Sequence, residues 1–96
     1  MLQQIYYLES MMRKEIEGAD ITAAMTLLNV KLAEAFARKG PMTASSRHEI
    51  LGLVEEEMCE LKVATRISLD EFNNELMDVA VAAIFGLLSI QKGVEW

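Results

Sequence analysis

The chain is poor in the residues that most small disulfide and transition-metal sites require. Its 96 residues include one cysteine, Cys59, and one histidine, His48. A single cysteine excludes an internal disulfide framework and a thiolate zinc site, and a single histidine excludes any site that needs two imidazoles from one chain. Basic residues number only 9 against 15 acidic ones. The net charge of −6 therefore argues against a protein that binds the nucleic-acid backbone.

Long apolar runs and targeting signals are also scarce. The longest nearly uncharged run, residues 79–90, has 12 residues, whereas a membrane span needs about 18–20. Residues 1–5 show neither the basic start nor the apolar core of a secretory signal. We therefore expect a cytoplasmic protein without a membrane partner. With 52% hydrophobic and 25% charged residues, the composition is that of one globular domain over residues 1–96.

The few glycines and the single proline lie mostly between predicted helices. Apolar spacing predicts an N-terminal helix over residues 2–16 and a second helix over residues 21–39. Asp20 is the predicted N-cap of the second helix, and Gly40 followed by Pro41 is its predicted end. This first half of the chain is therefore expected to form two helices.

Two Ser-x-x-Glu capping boxes predict where the remaining helices begin. Ser46 with Glu49 opens a third helix that runs to about residue 64, and Ser68 with Glu71 opens a fourth that runs to about residue 91. No segment alternates with the period of two that a strand needs. The sequence therefore predicts an all-α protein with a four-helix, bundle-like protomer.

The third predicted helix turns a carboxylate toward its own apolar face. On a helical wheel with Ile50 at zero, the apolar residues centre near zero, and Glu57 falls at about 340°. Glu60, at about 280°, lies on the margin of the apolar stripe, and Glu56, at about 240°, flanks that margin. No basic residue stands three or four positions from Glu57. An unpaired carboxylate facing a core costs several kcal/mol or takes up a proton.

The fourth predicted helix repeats this pattern. Residues 76–90 are apolar nearly all round, which is typical of a helix buried on most sides, and Asp78 is the one charge among them. Glu75 lies three positions before Asp78, so the two side chains project together. An antiparallel hairpin would bring this pair beside Glu57 and Glu60. The sequence therefore predicts four converging carboxylates.

Converging carboxylates repel one another unless a cation lies among them. An all-oxygen donor set favours Mg²⁺ and also suits Mn²⁺. Ca²⁺ stays open, although the Asp-rich calcium loop is absent. Di-iron bundles use Glu-x-x-His pairs, which this chain lacks. The alternative to a metal site is an ordinary solvated acidic face.

The same residues carry a resemblance to a known family. EEMCE at residues 56–60, followed by ELMD at residues 75–78, resembles the EExxE…ExxD signature of the MazG-like nucleotide pyrophosphohydrolases of the all-α NTP pyrophosphatase superfamily. FARKGPM at residues 36–42, followed by RHE at residues 47–49, is similar to small phage- and cassette-type members. The resemblance covers about residues 20–90.

This resemblance implies Mg²⁺-dependent hydrolysis of a nucleoside triphosphate to the monophosphate and pyrophosphate, in a homodimer or homotetramer. The residues that match the family's metal ligands are Glu57, Glu60, Glu75 and Asp78. Glu56, the first acid of the motif, is implied to act with Glu57 in catalysis, by holding a second metal through water or by orienting the attacking water. Neighbouring substrate classes are dUTP and phosphoribosyl-ATP.

Three other polar residues are candidate substrate contacts. Arg47 and His48 open the third helix, where backbone N–H groups and the helix dipole favour anions. Asn29 is polar within the largely apolar second helix and could read a base edge. For His48 and Asn29 the alternative is a solvated side chain.

The fourth predicted helix also indicates self-association. Three short amphipathic helices are not expected to cover a helix that is apolar nearly all round, and the region of Val79, Ala83 and Gly86 suits close helix–helix approach. We therefore expect an obligate homodimer with the nucleotide site near the subunit boundary. The alternative function is a non-catalytic helical homo-oligomer that binds a divalent metal or a nucleotide as a regulatory or structural module.

Overall fold

The computed structural model of the protein describes residues 3–4, 8–9 and 12–95. Over these residues the chain is helical and has no strand, which confirms the all-α prediction. Helix α1 spans Gly18–Lys39, α2 spans Arg47–Ala64 and α3 spans Leu69–Gln91. They correspond to the second, third and fourth helices predicted from the sequence.

The predicted N-terminal helix differs from what the structure describes. Helical backbone is found at Gln3, Gln4, Leu8 and Glu9. Met12 lies in a turn, and residues 13–17 have no regular structure, so the predicted end at Ile16 is wrong. Leu2 and Ile5 lie outside the described residues. Leu8, Met12 and Ile16 are all exposed, so burial of these three side chains does not stabilise the predicted last turns of the helix.

Helix α1 begins earlier than predicted, because Asp20 stabilises its start from within the first turn. Glu17, not Asp20, is the N-cap, and its backbone N–H donates a 2.9 Å hydrogen bond to the Asp20 carboxylate. At the other end, Gly40 has a φ of 90° and its N–H donates to the Phe36 carbonyl at 2.8 Å. Glycine adopts this left-handed conformation without strain, so the helix ends at the predicted position.

Both predicted serine caps are present. The Ser46 hydroxyl accepts from the Glu49 N–H, and the Ser68 hydroxyl from the Glu71 N–H, each at 3.1 Å. The Glu49 carboxylate accepts from the backbone N–H of Ser45 at 3.0 Å and from its hydroxyl. Side-chain oxygens thus satisfy N–H groups that the helix backbone leaves unpaired.

Helices α2 and α3 form an antiparallel hairpin and approach each other closely at Gly86. A Cβ atom on Gly86 would lie 2.5 Å from Cγ2 of Ile50, so only glycine fits there. Gly86 thus serves a close helix–helix approach within the protomer, between α3 and α2. Helix α1 packs on α3, where the rings of Phe36 and Phe85 lie 6.1 Å apart at an angle of 60°.

The loop between α1 and α2 is fastened to the last part of α3. The Ser89 hydroxyl accepts from the Ala44 N–H at 3.0 Å and donates to the Phe85 carbonyl at 2.9 Å. Ser89 and Ala44 are both buried, with 1% and 2% of their surfaces exposed. The one buried hydroxyl therefore satisfies a loop N–H that would otherwise lack a partner.

The interior of a single chain is small. Among the residues that the structure describes, the buried apolar ones are Ala44, Leu61 and Ala64. The accessible surface is 8107 Å², whereas a globular monomer of 10.8 kDa exposes about 5,500 Å². The radius of gyration is 16.4 Å, against about 12.5 Å for a globular chain of this length. In one chain alone the last helix, whose sequence is typical of burial on most sides, therefore keeps much of its surface exposed.

Helix α3 is also long and apolar enough to cross a membrane, judged by length and composition. Its most apolar 18-residue window has a mean hydropathy of 1.3, and 11% of that window is buried. Any such window includes Glu75 and Asp78. The window is therefore longer than the nearly uncharged run of residues 79–90, which contains neither acid. Core helices of soluble proteins meet the same criterion.

Candidate metal centre and adjoining cleft

The α2–α3 hairpin brings three of the four predicted metal ligands together. One carboxylate oxygen from each of Glu57, Glu60 and Glu75 lies within 4.8 Å of the other two. Glu57 and Glu75 are half-buried, and Glu60 is exposed. Glu57 and Glu60 stand one turn apart on α2, and the short connection from Thr65 to Ser68 returns α3 beside them. We call these three residues the acidic cluster.

Asp78, the fourth predicted ligand, lies beside the acidic cluster and not within it. Its side chain is exposed and, together with Glu57, lines a cleft between the helices. The negative charge of Asp78 contributes to raising the pKa of both Glu57 and Glu75. Asp78 is therefore close enough to act on the cluster electrostatically.

Two carboxylates of the acidic cluster, those of Glu57 and Glu75, hold their protons more tightly than usual. Burial, followed by repulsion from Glu60, raises the pKa of Glu57 to about 7, and the charges of Asp78 and Glu75 add to the effect. Burial, followed by the charge of Asp78, likewise raises the pKa of Glu75. Near neutral pH the cluster thus resists full ionisation unless a positive charge offsets the repulsion.

Two oxygen atoms of the cluster are buried without a partner. Glu57 Oε2 and Glu75 Oε2 accept no hydrogen bond from the described part of the chain. Buried carboxylate oxygens normally have a donor or a cation beside them, because desolvation without one is costly. An all-oxygen donor set with unused lone pairs fits a hard divalent cation such as Mg²⁺.

A cleft of about 410 Å³ adjoins the acidic cluster, and Glu57 belongs to both. All three helices contribute to its apolar lining, which consists of Leu32, Ala35, Phe36, Leu53, Val81, Ala82 and Phe85. The loop fastened by Ser89 supplies Gly40, Met42 and Thr43 at one edge. Glu49 also lines the cleft, and hydrogen bonds from Ser45 hold the pKa of its carboxyl below the usual range.

Arg38 and Lys39 line the same cleft, and sequence reasoning assigned them no role. In residues 12–95 and the described N-terminal positions, the one ion pair joins Lys31 and Glu34 at 3.9 Å, so neither cleft cation is engaged by a carboxylate. Basic residues are common in the last turn of a helix, where they interact favourably with the helix dipole. Their presence there therefore does not indicate a binding site in the sequence. The one related feature of the sequence is Gly40, which ends the helix directly after these two residues.

The other predicted site residues lie away from this arrangement. Glu56 is exposed, belongs neither to the acidic cluster nor to the cleft, and stands about 100° around α2 from Glu57. Arg47 and His48 are exposed and do not line the cleft, because they stand about 80° and about 180° around α2 from Glu57. Asn29 is exposed and lines a separate, shallow groove along α1.

Comparison with known proteins identifies no relative of this chain. No protein-family model matches it, and neither a curated protein nor a solved structure is significantly similar to it. The description of the acidic cluster and the cleft therefore rests on the residues of this chain alone, and membership of a family stays a prediction from the two acidic motifs.

Proposed function

We propose that the protein is a Mg²⁺-dependent pyrophosphohydrolase that converts (deoxy)nucleoside triphosphates to monophosphate and pyrophosphate. Its role in this proposal is to limit non-standard or excess nucleotides. The observation that carries the proposal is the acidic cluster of Glu57, Glu60 and Glu75, with two buried, unpartnered oxygens, at the end of a cleft. The resemblance to the EExxE…ExxD signature supports the same reaction.

In this proposal the cluster holds the metal and Asp78 adds negative charge from the cleft side. Bound Mg²⁺ supplies charge neutralisation on the phosphate oxygens and a water of lowered pKa. Glu57 must lose its proton for the ion to bind, because a carboxylate coordinates a metal ion in its ionised form. The pKa of Glu57 is raised first by burial and then by repulsion from Glu60, and a bound ion would offset the repulsion. Glu56 lies outside the cluster, so in this proposal it acts only through water, either by holding a second metal or by orienting the attacking water.

The cleft suits a ligand with an apolar ring and a negatively charged tail. Its aromatic and aliphatic lining includes Phe36 and Phe85, against which a base can pack. Arg38 and Lys39 supply donors for phosphate oxygens that the metal does not reach. An acidic protein can thus bind an anionic substrate through its metal and these two cations. Arg47, His48 and Asn29 would need another copy of the chain to reach this cleft.

The test is phosphate release from a panel of NTPs and dNTPs with Mg²⁺, run with and without added inorganic pyrophosphatase. We expect signal only when pyrophosphatase is added, since the product is pyrophosphate. The Glu57→Gln variant should lose that signal, whereas Glu55→Gln, which alters an exposed glutamate outside the cluster, should keep it.

The contrary outcomes are distinct. Phosphate in both arms would show removal of the γ-phosphate instead. No release across the panel, with Mg²⁺ still bound, would favour the alternative function, a non-catalytic helical module that binds a metal or nucleotide.

A further inference from the structure

The cleft has a metal end and an aromatic end. Glu57 lines it beside the acidic cluster, and Phe36 and Phe85 line it further along the hairpin. Phe85 stands next to Gly86, which meets Ile50 in the first turn of α2, so the aromatic end lies level with the start of that helix. A nucleotide with its phosphates at the metal end therefore has its base beside the two rings.

Glu49 is a second carboxylate of the cleft, and the proposed function leaves it without a role. It is exposed, lines the cleft at the aromatic end and precedes Glu57 by eight positions, which is about 12 Å along the helix axis. Both hydrogen bonds that its carboxylate accepts, from the backbone N–H and the hydroxyl of Ser45, go to Oε2. Within the described part of the chain, Oε1 accepts none, so it is free to accept from a ligand.

An ionised carboxylate at this place distinguishes bases by the groups on their edges. Hydrogen bonds from Ser45 hold the pKa of Glu49 below its usual range, so the side chain is ionised at neutral pH and only accepts. Cytosine, adenine and guanine each carry an amino group, which donates. Uracil and thymine carry carbonyl groups on both sides of their single ring N–H. An amino donor forms a charge-assisted hydrogen bond with the carboxylate, whereas a carbonyl oxygen opposes one acceptor to another.

Resting on the proposed function for the identity of the ligand as a nucleotide, we propose that Glu49 selects the base. Its Oε1 accepts a hydrogen bond from the amino group of cytosine, adenine or guanine, and the carboxylate disfavours uracil and thymine. The substrates of the site are therefore triphosphates of amino-bearing bases. The capping box of α2 does not account for this free oxygen, because Oε2 alone accepts from Ser45.

The experiment compares two ligands that differ only on this edge. The α,β-imido analogues of dCTP and dUTP share sugar, ring size and phosphate chain, and their α–β link resists hydrolysis. Their dissociation constants, measured with Mg²⁺ by isothermal titration calorimetry, thus do not depend on turnover. We expect the wild type to bind the dCTP analogue at least about tenfold more tightly than the dUTP analogue.

Glu49→Gln changes the group offered to the base and keeps the cap. The amide oxygen replaces Oε2 as the acceptor for Ser45, so the NH₂ group takes the place of Oε1 and donates instead. We expect the ratio of the two dissociation constants to fall to about one or to reverse. Glu71→Gln makes the same substitution at the matching position of the Ser68 capping box, does not alter the cleft lining, and should keep the wild-type ratio.

A second pair of ligands needs no variant and keeps the test decisive if Glu49→Gln does not fold. The wild type should also bind the α,β-imido analogue of dATP more tightly than that of dITP, in which a carbonyl replaces the 6-amino group. Equal binding within either pair, no binding of any analogue, or a dCTP-to-dUTP ratio that folded Glu49→Gln leaves unchanged would overturn the proposal. So would an equal shift of the ratio in Glu71→Gln.

Phosphate release separates this proposal from the proposed function. Preference for the amino-bearing analogues without hydrolysis of any triphosphate would support base selection by Glu49 and refute catalysis. Hydrolysis of dCTP and dUTP by a wild type that binds their analogues equally would refute the role of Glu49 alone.

Discussion

Replacing Glu57 with glutamine should stabilise the metal-free protein above pH 7 and abolish Mg²⁺ binding. Burial and the charge of Glu60 raise the pKa of Glu57 from its ordinary value of 4.5 to about 7. Since the folded protein binds this proton more tightly than the unfolded chain does, the contribution to stability is complete below about pH 4.5. It is lost as the pH rises through about 7. Above that range the folded protein carries an unfavourable charge that glutamine would remove.

The size of this effect follows from the pKa itself. The difference between 4.5 and about 7 corresponds to at most about 3 kcal/mol of unfolding free energy. Glu57 is only half-buried, so water screens part of the repulsion, and we expect about 1–2 kcal/mol. Mg²⁺ should restore the lost stability, because it binds the folded state and neutralises the cluster.

Urea unfolding at one fixed protein concentration, at about pH 5.5 and about pH 8, measures the effect. Wild type, Glu57→Gln and Glu55→Gln are compared in a chelator and in excess Mg²⁺. In the chelator, the wild type and Glu55→Gln should lose stability between pH 5.5 and pH 8 relative to Glu57→Gln. Excess Mg²⁺ should restore the stability of the wild type and of Glu55→Gln at pH 8. An unchanged pH dependence in Glu57→Gln, or one altered equally in Glu55→Gln, would refute the electrostatic account of the cluster.

Three further predictions concern the hairpin, the cleft and the loop. Gly86→Ala should be about 1–3 kcal/mol less stable in urea than Gly52→Ala, because a Cβ on Gly86 overlaps Ile50 and one on Gly52 meets nothing; equal stabilities would contradict the close approach. Arg38→Ala should raise KM for a triphosphate about tenfold with little change in Mg²⁺ affinity, since one charge-assisted hydrogen bond is lost; an unchanged KM would remove Arg38 from the site. Ser89→Ala should lower the unfolding free energy by about 1–2 kcal/mol and speed hydrogen exchange of the Ala44 amide, because that amide loses its acceptor. Unchanged protection of the Ala44 amide would contradict this prediction.

Local signals in the sequence predicted most of the helix boundaries. The caps at Ser46 and Ser68 and the stop at Gly40 depend on residues a few positions apart, so their chemistry can be read along the chain. The N-terminal helix was overestimated because the periodicity of its apolar residues does not show whether anything packs on them. Glu57 was found as a site residue because a carboxylate within an apolar stripe is anomalous in the sequence itself.

The parts that sequence reasoning missed all depend on contacts between distant segments. Arg38 resembles any basic residue at a helix end until the loop after it folds onto α3. Gly86 belongs to a run of small residues, and only the position of Ile50 shows which neighbour it serves. Ser89 is one polar residue in an apolar helix, and its partner Ala44 lies 45 positions away.

The close approach at Gly86 has a consequence for the axial register of the two helices. The acidic cluster lies between two constraints on sliding, the short connection after Ala64 at one end and the contact of Ile50 with Gly86 at the other. A slip of one residue would carry each helix about 1.5 Å along its axis and turn its side chains by about 100°. Glu57 could not then face Glu75. The register of the hairpin therefore sets which carboxylates meet, whereas α1 and its loop shape the cleft that adjoins them.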